Sequence, residues 1–346
     1  MSDPTVSLQS IAQKVGVSPM TVSRVMRNLP GASEATRQII LETAKALDYQ
    51  PDPELARAMK LVRTKKKKSS QAILAVIREF LPDDELQRGC CHFVPLEYIQ
   101  RSAESYGYVT EEFWLGRDGL TPQRLSDILH ARGIEGIIVS PQSVSMPCKE
   151  LDYSRFASVA LGYTMKQPSL HRSTTNLVPG LQAVMAQLQS RGYKRIGVAI
   201  SQWLDDRTQN VYSSGMLHFQ YSQSKGQSAP LLLFPHNDFK RDEEVFYAWM
   251  KEHQPDVLIT FEKHIPTWLK KMGLSIPEDI GLVVHDWTPS MKGWAGIDHR
   301  REYLAHGAVD LVAMQLMRNE RGIPPVPRQI SIPPAWVEGP SIRPVL

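Results

Sequence analysis

Apolar residues near the start of the chain recur at the spacing of three to four residues that is typical of amphipathic helices. One stripe comprises Leu8, Ile11, Ala12 and Val15, a second Val22, Val25 and Met26, and a third Ile40, Ala44 and Leu47. Because this spacing places each stripe on one face of a helix, it predicts three short helices around a small shared core.

Capping residues set the predicted ends of these helices. Ser7 precedes the first stripe as an N-cap, and Gly16 follows it where a left-handed residue would end the helix. Ser18 and Pro19 then begin the second helix, and Ser33 caps the third. Two short helices joined by a glycine turn and followed by a third are typical of the helix-turn-helix motif. The alternative interpretation is a three-helix core without a ligand.

Beyond residue 71 the pattern changes to short apolar runs that alternate with helical stretches. The runs are AILAVI (72–77), IEGIIVS (134–140), FASVALG (156–162), RIGVAI (195–200), PLLLF (230–234), DVLITF (256–261) and IGLVVH (280–285). Helical stretches lie at 125–132, 180–191, 242–253 and 265–272. Continuous apolar strands separated by helices are typical of parallel sheets covered on both faces, and their number predicts two successive α/β subdomains.

Positive charge is concentrated at the start of the chain. Residues 1–70 hold 12 Lys and Arg against 6 Asp and Glu, whereas the whole chain holds 40 against 36. This asymmetry indicates a segment that approaches a polyanion, joined to a body that does not.

Two segments at the start carry a resemblance to a known family. SLQSIAQKVGVSPMTVSRVMRN and ASEATRQIILETAKALDYQP, from about Ser7 to Pro51, resemble the headpiece of the lactose-repressor (LacI/GalR) family of bacterial transcription regulators, and the core GVSxxTVSRV is very specific. Ala32 and Asp48 depart from the family pattern, outside the second helix. Within the body, SRGYKRIGVAI, PDVLITF and MGLSIPEDIGLVVHDW resemble the family's landmarks in order and spacing.

The resemblance implies a fold and a domain order for the 346 residues, which are too many for one ordinary core. We expect an N-terminal all-α helix-turn-helix headpiece at 1–51 and a hinge helix with a basic linker at 52–70. An α/β periplasmic-binding-protein-like body of two doubly wound subdomains would follow at 71–346, for effector binding and dimerisation. Its N-subdomain is expected at about 71–162 plus 290–330, and its C-subdomain at about 163–289.

Carried over by position, the resemblance also implies the residues that contact DNA. The residues expected to read bases are Pro19, Met20 and Arg24. Arg24 can pair bidentately with guanine, and Met20 can offer apolar contact to a thymine methyl group. Phosphate contacts fall to Ser18, Thr21, Ser23, Asn28, Ser33, Thr36 and Tyr49. For each serine and threonine, local helix capping is the alternative interpretation.

The hinge segment follows Pro51 and Pro53, which end the third helix. In the family, a hinge helix at this place inserts an apolar side chain into the minor groove. Aligning LARAM with the usual LARSL makes Met59 the wedge, one residue farther from the first proline than usual, and Leu55 is the other candidate. A solvated tether without base contact is the alternative. The run Lys65–Lys68 favours electrostatic contact with phosphate.

Effector residues are expected at the carboxyl ends of the body's strands, where open α/β sheets bind ligands in a cleft. Arg207 falls near the family's ligand-holding arginine, and Asp286 matches the family's aspartate. Phe261 and Glu262 stand where the family usually has Asn–Asp, which departs from the usual ligand chemistry. The residues that would stack on a ring are Trp203, Trp287 and Trp294. Core packing for the tryptophans, and a structural salt bridge for the charged pair, are the alternatives.

The sequence offers no catalytic or cofactor motif. It lacks a G-x-G-x-x-G or Walker loop, a G-x-S-x-G elbow and an H-E-x-x-H pair. The adjacent Cys90, Cys91 and His92 lack the spacing of a zinc site. We therefore expect a protein that is not an enzyme and holds no cofactor or metal. The alternative is an α/β enzyme that carries a DNA-binding domain.

Cellular location is inferred from what the chain lacks. It has few cysteines, no apolar run of about 18 residues, and no secretory signal at its start. These features predict a cytoplasmic protein without a membrane partner.

The expected function is a sequence-specific DNA-binding transcriptional regulator, a repressor controlled by a small-molecule effector in the cleft between the lobes, with a sugar as the first candidate. One headpiece offers few contacts, so a homodimer is expected to read a pseudo-palindromic double-stranded operator. Apolar surface at 97–108 and 307–316 would supply the interface. The two-lobed body argues against a protein that only coats DNA.

Overall fold

The computed structural model describes residues 7–26, 30–47, 49, 72–79, 94–142, 147–222, 231–235 and 239–345. Internal contacts divide the chain into a unit at 1–70, called the headpiece below, and a unit at 71–346, called the body.

The described residues of the headpiece form three helices, α1 (Leu8–Val15), α2 (Pro19–Met26) and α3 (Glu34–Ala46). Their shared core consists of Ile11, Ala12, Val22, Val25, Ile40 and Ala44. Ser7 caps α1 by accepting the backbone N–H of Ser10 at 3.2 Å, and Gly16 ends this helix with a φ of 76°. The predicted helix-turn-helix is therefore confirmed, with the predicted residues at its caps and in its core.

The body is built from twelve strands and eight helices among the residues that the structure describes. The strands are β1 (Ala72–Glu79), β2 (Tyr108–Leu115), β3 (Gly136–Val139), β4 (Ala157–Leu161), β5 (His171–Thr175), β6 (Ile196–Ser201), β7 (Leu232–Phe234), β8 (Val257–Thr260), β9 (Gly281–Val284), β10 (Ala295–Asp298), β11 (Gln329–Ile332) and β12 (Ala335–Val337). The helices are α4 (Leu96–Ser105), α5 (Pro122–Ala131), α6 (Leu177–Ser190), α7 (Gln202–Arg207), α8 (Val211–Ser222), α9 (Phe239–His253), α10 (Ile265–Lys271) and α11 (Arg301–Arg318).

These strands form two six-stranded sheets. The first has the order β11-β5-β4-β3-β1-β2 and is parallel throughout. The second has the order β12-β10-β9-β8-β6-β7 and is parallel except for β12, which pairs antiparallel with β10. The predicted α/β body with two doubly wound subdomains is thus confirmed.

Helices cover both faces of each sheet, which explains why β1, β3, β4 and β6 to β9 read as continuous apolar runs. In β1, Leu74 and Val76 join a core with α4 and α11, whereas Ala75 and Ile77 join a core with α5 on the opposite face. The second sheet is covered by α6 and α8 on one face and by α9 and α10 on the other. Helices on both faces leave no water-facing side that would require alternating polar residues.

The chain crosses between the sheets at places other than those predicted. The expected boundary at residue 162 is wrong because β5 lies in the first sheet, paired with β4 and β11. The boundary at residue 290 is wrong because β10 pairs with β9 in the second sheet. Segments from the far end of the chain, α11 and β11, return to the first sheet, and β12 returns to the second.

The predicted dimer surface at 307–316 also needs correction. Ala308, Val309, Leu311 and Val312 are buried in the core of the first sheet, because α11 covers that sheet and packs beside α4. The apolar residues of this segment therefore stabilise the body itself.

Among the described residues, none of the helices combines the length and the apolar character that a membrane span requires.

Candidate nucleic-acid interface and effector site

The surface of α2 presents the three residues expected to read bases. Pro19, Met20 and Arg24 are exposed, and Met20 keeps 71% of its surface accessible. Val22 and Val25, on the opposite face, are buried at 0% and 2% exposure. The apolar stripe thus fixes the rotation of α2 and leaves its other face to solvent.

Arg24 lies against the turn that precedes α3. A Cβ atom at Gly31 would come within 3.0 Å of Arg24 Cζ, and Gly31 has a φ of 127°, which favours glycine. The guanidinium group of Arg24 therefore packs beside Gly31, where a larger residue would clash with it.

The hydroxyl groups expected to contact phosphates cap helices in the headpiece. Ser18 Oγ accepts the backbone N–H of Thr21 at 3.1 Å, and the two hydroxyl groups lie 2.9 Å apart. Ser33 and Thr36 repeat this arrangement at the start of α3, at 3.2 Å and 2.8 Å. The capping interpretation is thus observed for both pairs, and phosphate contact stays a prediction.

The other predicted DNA contacts differ in how far the structure describes them. Ser23 is half-buried on α2, and Tyr49 is half-buried, packs against the headpiece core and donates its backbone N–H to Ala44 O at 3.0 Å. Three predicted residues lie outside the described residues: Asn28, Leu55 and Met59.

Replacing Ser18 with alanine is expected to loosen the first turn of α2, because the N–H of Thr21 loses its acceptor. The loss of an N-cap costs about 1 kcal/mol, so the amides of α2 should exchange with solvent roughly fivefold faster. Hydrogen exchange of the full chain, read by mass spectrometry, measures this effect. Ser23→Ala removes a hydroxyl group from inside the same helix and serves as the control. Equal exchange rates in the two variants would contradict the capping role.

A second candidate site lies at the carboxyl edge of the second sheet. Because parallel strands end at the same edge, the segments after β6, β8 and β9 lie side by side. Six of the seven residues expected to bind an effector fall in these segments: Trp203, Arg207, Phe261, Glu262, Asp286 and Trp287. The seventh, Trp294, precedes β10 and packs against the core formed with α9 and α10, as the core-packing alternative predicts. The body also brings the first sheet to this edge, since Lys166, which follows β4, donates to Asp206 O at 3.0 Å.

Arg207 packs on the ring of Trp203, with its Cζ atom 4.1 Å from the ring centroid. The arginine is 9% exposed, and Asp205 beside it accepts the backbone N–H groups of Tyr212 and Ser213. A guanidinium group over an indole face is stabilised by the ring quadrupole, more strongly where water is excluded. Trp203 thus supports the arginine on one face of its ring.

Phe261 belongs to an aromatic cluster with three residues that sequence reasoning had not named as site residues. Its ring centroid lies 4.8 Å from that of His285, 5.5 Å from that of Tyr212 and 6.5 Å from that of His299. His285 is fully buried, and burial lowers its pKa to about 4, so the imidazole is neutral near pH 7. This edge of the sheet therefore presents rings beside its charged groups.

The carboxylate of Glu262 is engaged by the backbone of the neighbouring strand. Its Oε1 accepts the backbone N–H of Ser201 at 3.0 Å, and its own N–H donates to Thr260 Oγ1 at 2.9 Å. Burial raises the pKa of Glu262. The side chain thus links the ends of β6 and β8.

Asp286 forms the salt bridge that sequence reasoning gave as the alternative to ligand binding. Arg301 donates from one terminal nitrogen to Asp286 Oδ1 at 2.5 Å, and His299 Nε2 lies 3.7 Å from the same oxygen. Burial raises the pKa of Asp286 to about 7, although Arg301 opposes the shift. Trp287 closes the next turn by donating from its indole N–H to Met291 O at 3.1 Å.

Arg301 and His299 were not predicted because the strand before them lacks the apolar pattern of the other strands. β10 has the sequence AGID, which lacks a run of large apolar residues, so the crossing after it was not recognised. His285 lies within the VVHDW segment, where only its neighbour Asp286 was predicted as a site residue. Recognising AGID as a strand would have pointed to the residues at its carboxyl end.

The first sheet contributes a cavity at the carboxyl ends of β4 and β5. Its lining consists of Val94, Leu161, Gly162, Tyr163, Thr174, Thr175 and Leu304. The hydroxyl groups of Thr174 and Thr175 are buried without a hydrogen-bond partner in the described part of the chain. Buried hydroxyl groups in such a position favour a polar ligand or water.

The described residues contain no group of three or more histidine, cysteine or acidic side chains placed to hold a metal ion. Cys90, Cys91 and His92 lie outside the described residues. Cys148 is a buried free thiol, and burial raises its pKa.

Comparison with known proteins connects this geometry to a family. Residues 7–52 match the family model "Bacterial regulatory proteins, lacI family". The HTH-type transcriptional regulator MalR of Staphylococcus xylosus is 24% identical over 191 residues, which are 55% of this chain and 54% of that protein. The sucrose operon repressor of Escherichia coli is 42% identical over 69 residues, 20% of each chain. The chain thus spans about half the length of the first relative and a fifth of the second.

Among solved structures, the transcriptional regulator CelR–cellobiose complex covers 97% of this chain and 99% of its own, with a TM-score of 0.59 and 16% identity. This likeness concerns the fold alone. Residues 7–52 therefore form a headpiece of the lacI family of bacterial regulatory proteins, and the body that follows in the chain has the fold of the CelR regulator.

Proposed function

We propose that the protein is a sequence-specific DNA-binding transcriptional regulator, a repressor whose operator binding is controlled by a small-molecule effector. The proposed DNA binding is supported mainly by the exposed face of α2. Val22 and Val25 hold this helix in the core, so that Met20 and Arg24 point to solvent within a lacI-family headpiece. A recognition helix enters the major groove with such a face.

Regulation rests on the carboxyl edge of the second sheet. Phe261 and Asp286 directly follow β8 and β9, Arg207 ends the helix after β6, and Lys166 joins the first sheet to that helix. Acidic and basic hydrogen-bonding groups beside aromatic rings suit a hydroxyl-rich ring compound. The names of the sucrose operon repressor and of the CelR–cellobiose complex support a sugar as the effector class.

The protein acts as a homodimer in the cytoplasm under this proposal. Two headpieces would read the half-sites of a pseudo-palindromic operator, since one headpiece makes too few contacts for tight specific binding. The residues that would contact phosphates are Ser18, Thr21, Ser23, Asn28, Ser33, Thr36 and Tyr49. Met59 or Leu55 would insert into the minor groove and kink the DNA. The inserting residue is the one whose replacement by alanine abolishes the kink.

The proposal is tested by selecting bound duplexes from a random-sequence library with the full-length protein. We expect enrichment of a pseudo-palindrome with one invariant G·C pair in each half-site, followed by footprinting on genomic fragments that contain it. Binding that depends on salt but enriches no sequence would contradict a specific regulator.

A thermal-shift screen of the full-length protein then examines the effector, using cellobiose, sucrose, maltose and ribose as probes. A stabilising sugar should also change the affinity for the selected operator, because a regulating ligand must bind the two states with different affinity. A sugar that stabilises the protein yet leaves operator affinity unchanged would argue against control from this site.

A further inference from the structure

The chain passes from the second sheet to the first through a very short segment. β10 ends at Asp298, and α11 begins at Arg301, so only two residues lie between them. The helix that follows belongs to the first sheet, where Leu304 and Val312 are part of the buried core. Any change in the position of residues 299–301 is therefore passed directly to a helix that covers the first sheet.

Three hydrogen bonds tie this crossing to the turn after β9. Arg301 donates to Asp286 Oδ1 at 2.5 Å and to Trp287 O at 3.2 Å, and His299 Nε2 donates to His285 O at 2.7 Å. The side chains of Asp286, Arg301 and His299 are 18%, 13% and 1% exposed. Charged hydrogen bonds shielded from water in this way are short and strong.

The backbone of the crossing is strained at Arg300. This residue has φ 51° and ψ 55°, a left-handed conformation that residues with a Cβ atom seldom adopt, and its N–H donates to Asp298 Oδ1 at 2.7 Å. Such a conformation persists only where the surrounding contacts hold it. The bonds from Arg301 and His299 to the turn after β9 are the contacts that flank it.

We propose that the Asp286–Arg301 pair is a latch between the two sheets of the body, and that an effector acts by competing with Arg301 for Asp286. This inference rests on the proposed function, because Asp286 is one of the residues assigned to the effector. A hydroxyl group of the effector would donate to the carboxylate and weaken its bond with Arg301. The strained crossing at Arg300 would then relax, and α11 would shift together with the first sheet.

The condition of the carboxyl group supports this role. Burial raises the pKa of Asp286 to about 7 even with Arg301 beside it, so Arg301 offsets only part of the cost of burying the charged form. A further hydrogen-bond donor would stabilise that charged form. A ligand rich in hydroxyl groups supplies such donors without adding charge.

The latch is tested first without effector or DNA, by hydrogen exchange of the full-length protein. Asp286→Asn keeps the shape of the side chain and removes its charge. In this variant the first amides of α11, at Tyr303 and Leu304, which bond to Arg300 O, should exchange at least tenfold faster than in the wild type. Arg301→Lys keeps a charged donor but loses the two-nitrogen geometry that reaches both Asp286 and Trp287 O, so its exchange should fall between those of the wild type and Asp286→Asn.

The control removes another arginine–carboxylate ion pair of the body, one that is more exposed and joins no sheets. Glu111, on β2 of the first sheet, accepts two hydrogen bonds, at 2.6 Å and 2.7 Å, from Arg132, which follows α5. Glu111→Gln should leave exchange at α11 unchanged. Equal exchange at α11 in the wild type and in Asp286→Asn would overturn the latch, as would equal acceleration in Asp286→Asn and Glu111→Gln. If Asp286→Asn does not fold, Arg301→Met takes its place with the same expectations.

A second measurement asks whether the latch communicates with DNA binding. Asp286→Asn should change the affinity for the selected operator at least fivefold, although it leaves the headpiece sequence intact, and an unchanged affinity would overturn the coupling. The two failures are distinguishable. If no operator can be selected, the proposed function fails, whereas the exchange experiment still decides whether the latch exists.

Discussion

Replacing Arg24 with alanine is expected to lower the affinity for the selected operator at least tenfold per headpiece and to leave weak, salt-dependent DNA binding in place. Arg24 is the only one of the three exposed residues expected to read bases that can donate two hydrogen bonds to a guanine. A bidentate contact of this kind contributes about 1–3 kcal/mol of discrimination, and a dimer would lose it twice. Fluorescence anisotropy with operator and scrambled duplexes, at fixed salt, measures both affinities.

Lys45→Ala provides the control for Arg24→Ala. Lys45 is exposed in the last turn of α3, so its removal takes away one positive charge from the headpiece without touching α2. This variant should bind operator and scrambled duplex with affinities reduced by the same factor, if at all. If Arg24→Ala behaved in the same way, with the ratio of the two affinities preserved, Arg24 would not be the base-reading residue.

Replacing Gly339 with alanine is expected to destabilise the body by about 2–3 kcal/mol. A Cβ atom at Gly339 would lie 2.2 Å from Ala295 N and 2.3 Å from the carbonyl carbon of Trp294. These are backbone atoms at the start of β10, and they cannot yield as a flexible side chain would. Ser341 adds to the constraint, because its hydroxyl group accepts from Ala295 N at 2.8 Å and donates to Leu282 O at 2.6 Å.

The matched control for this substitution is the glycine that lies just before β10. Gly293 has open space where its Cβ atom would be, so Gly293→Ala should leave stability nearly unchanged. Thermal unfolding of the two variants should differ by roughly 4–12 °C for a body of this size. Similar melting temperatures would mean that the chain after β12 can move away from β10 at little cost.

The headpiece was predictable from sequence because its structure depends on neighbours in the chain. Ser7, Gly16 and Ser33 act within one or two turns of their own helices, and the apolar stripes need only helical spacing to be read. In the body, the seven apolar runs were recognised for the same reason. β5 was missed because its sequence, HRSTT, is polar although Ser173, Thr174 and Thr175 are buried in the sheet.

The candidate effector site was predictable in position but not in its partners. Arg207, Asp286 and the Phe261–Glu262 pair were found by resemblance, and the structure places all of them after strands of one sheet. That Arg301 holds Asp286 depends on how β9, β10 and α11 are arranged in space. Fifteen residues separate the two in the chain, and no local pattern encodes their contact.

The crossings between the two sheets have a consequence for how the chain is made. Synthesis proceeds from the N-terminus, and domains ordinarily fold as they emerge. Here the core of the first sheet is incomplete without α11, and its outer strand β11 comes later still, after nearly all of the second sheet. Until α11 emerges, one face of the first sheet is covered by α4 without its neighbour, so the two halves of the body are expected to complete their folding together.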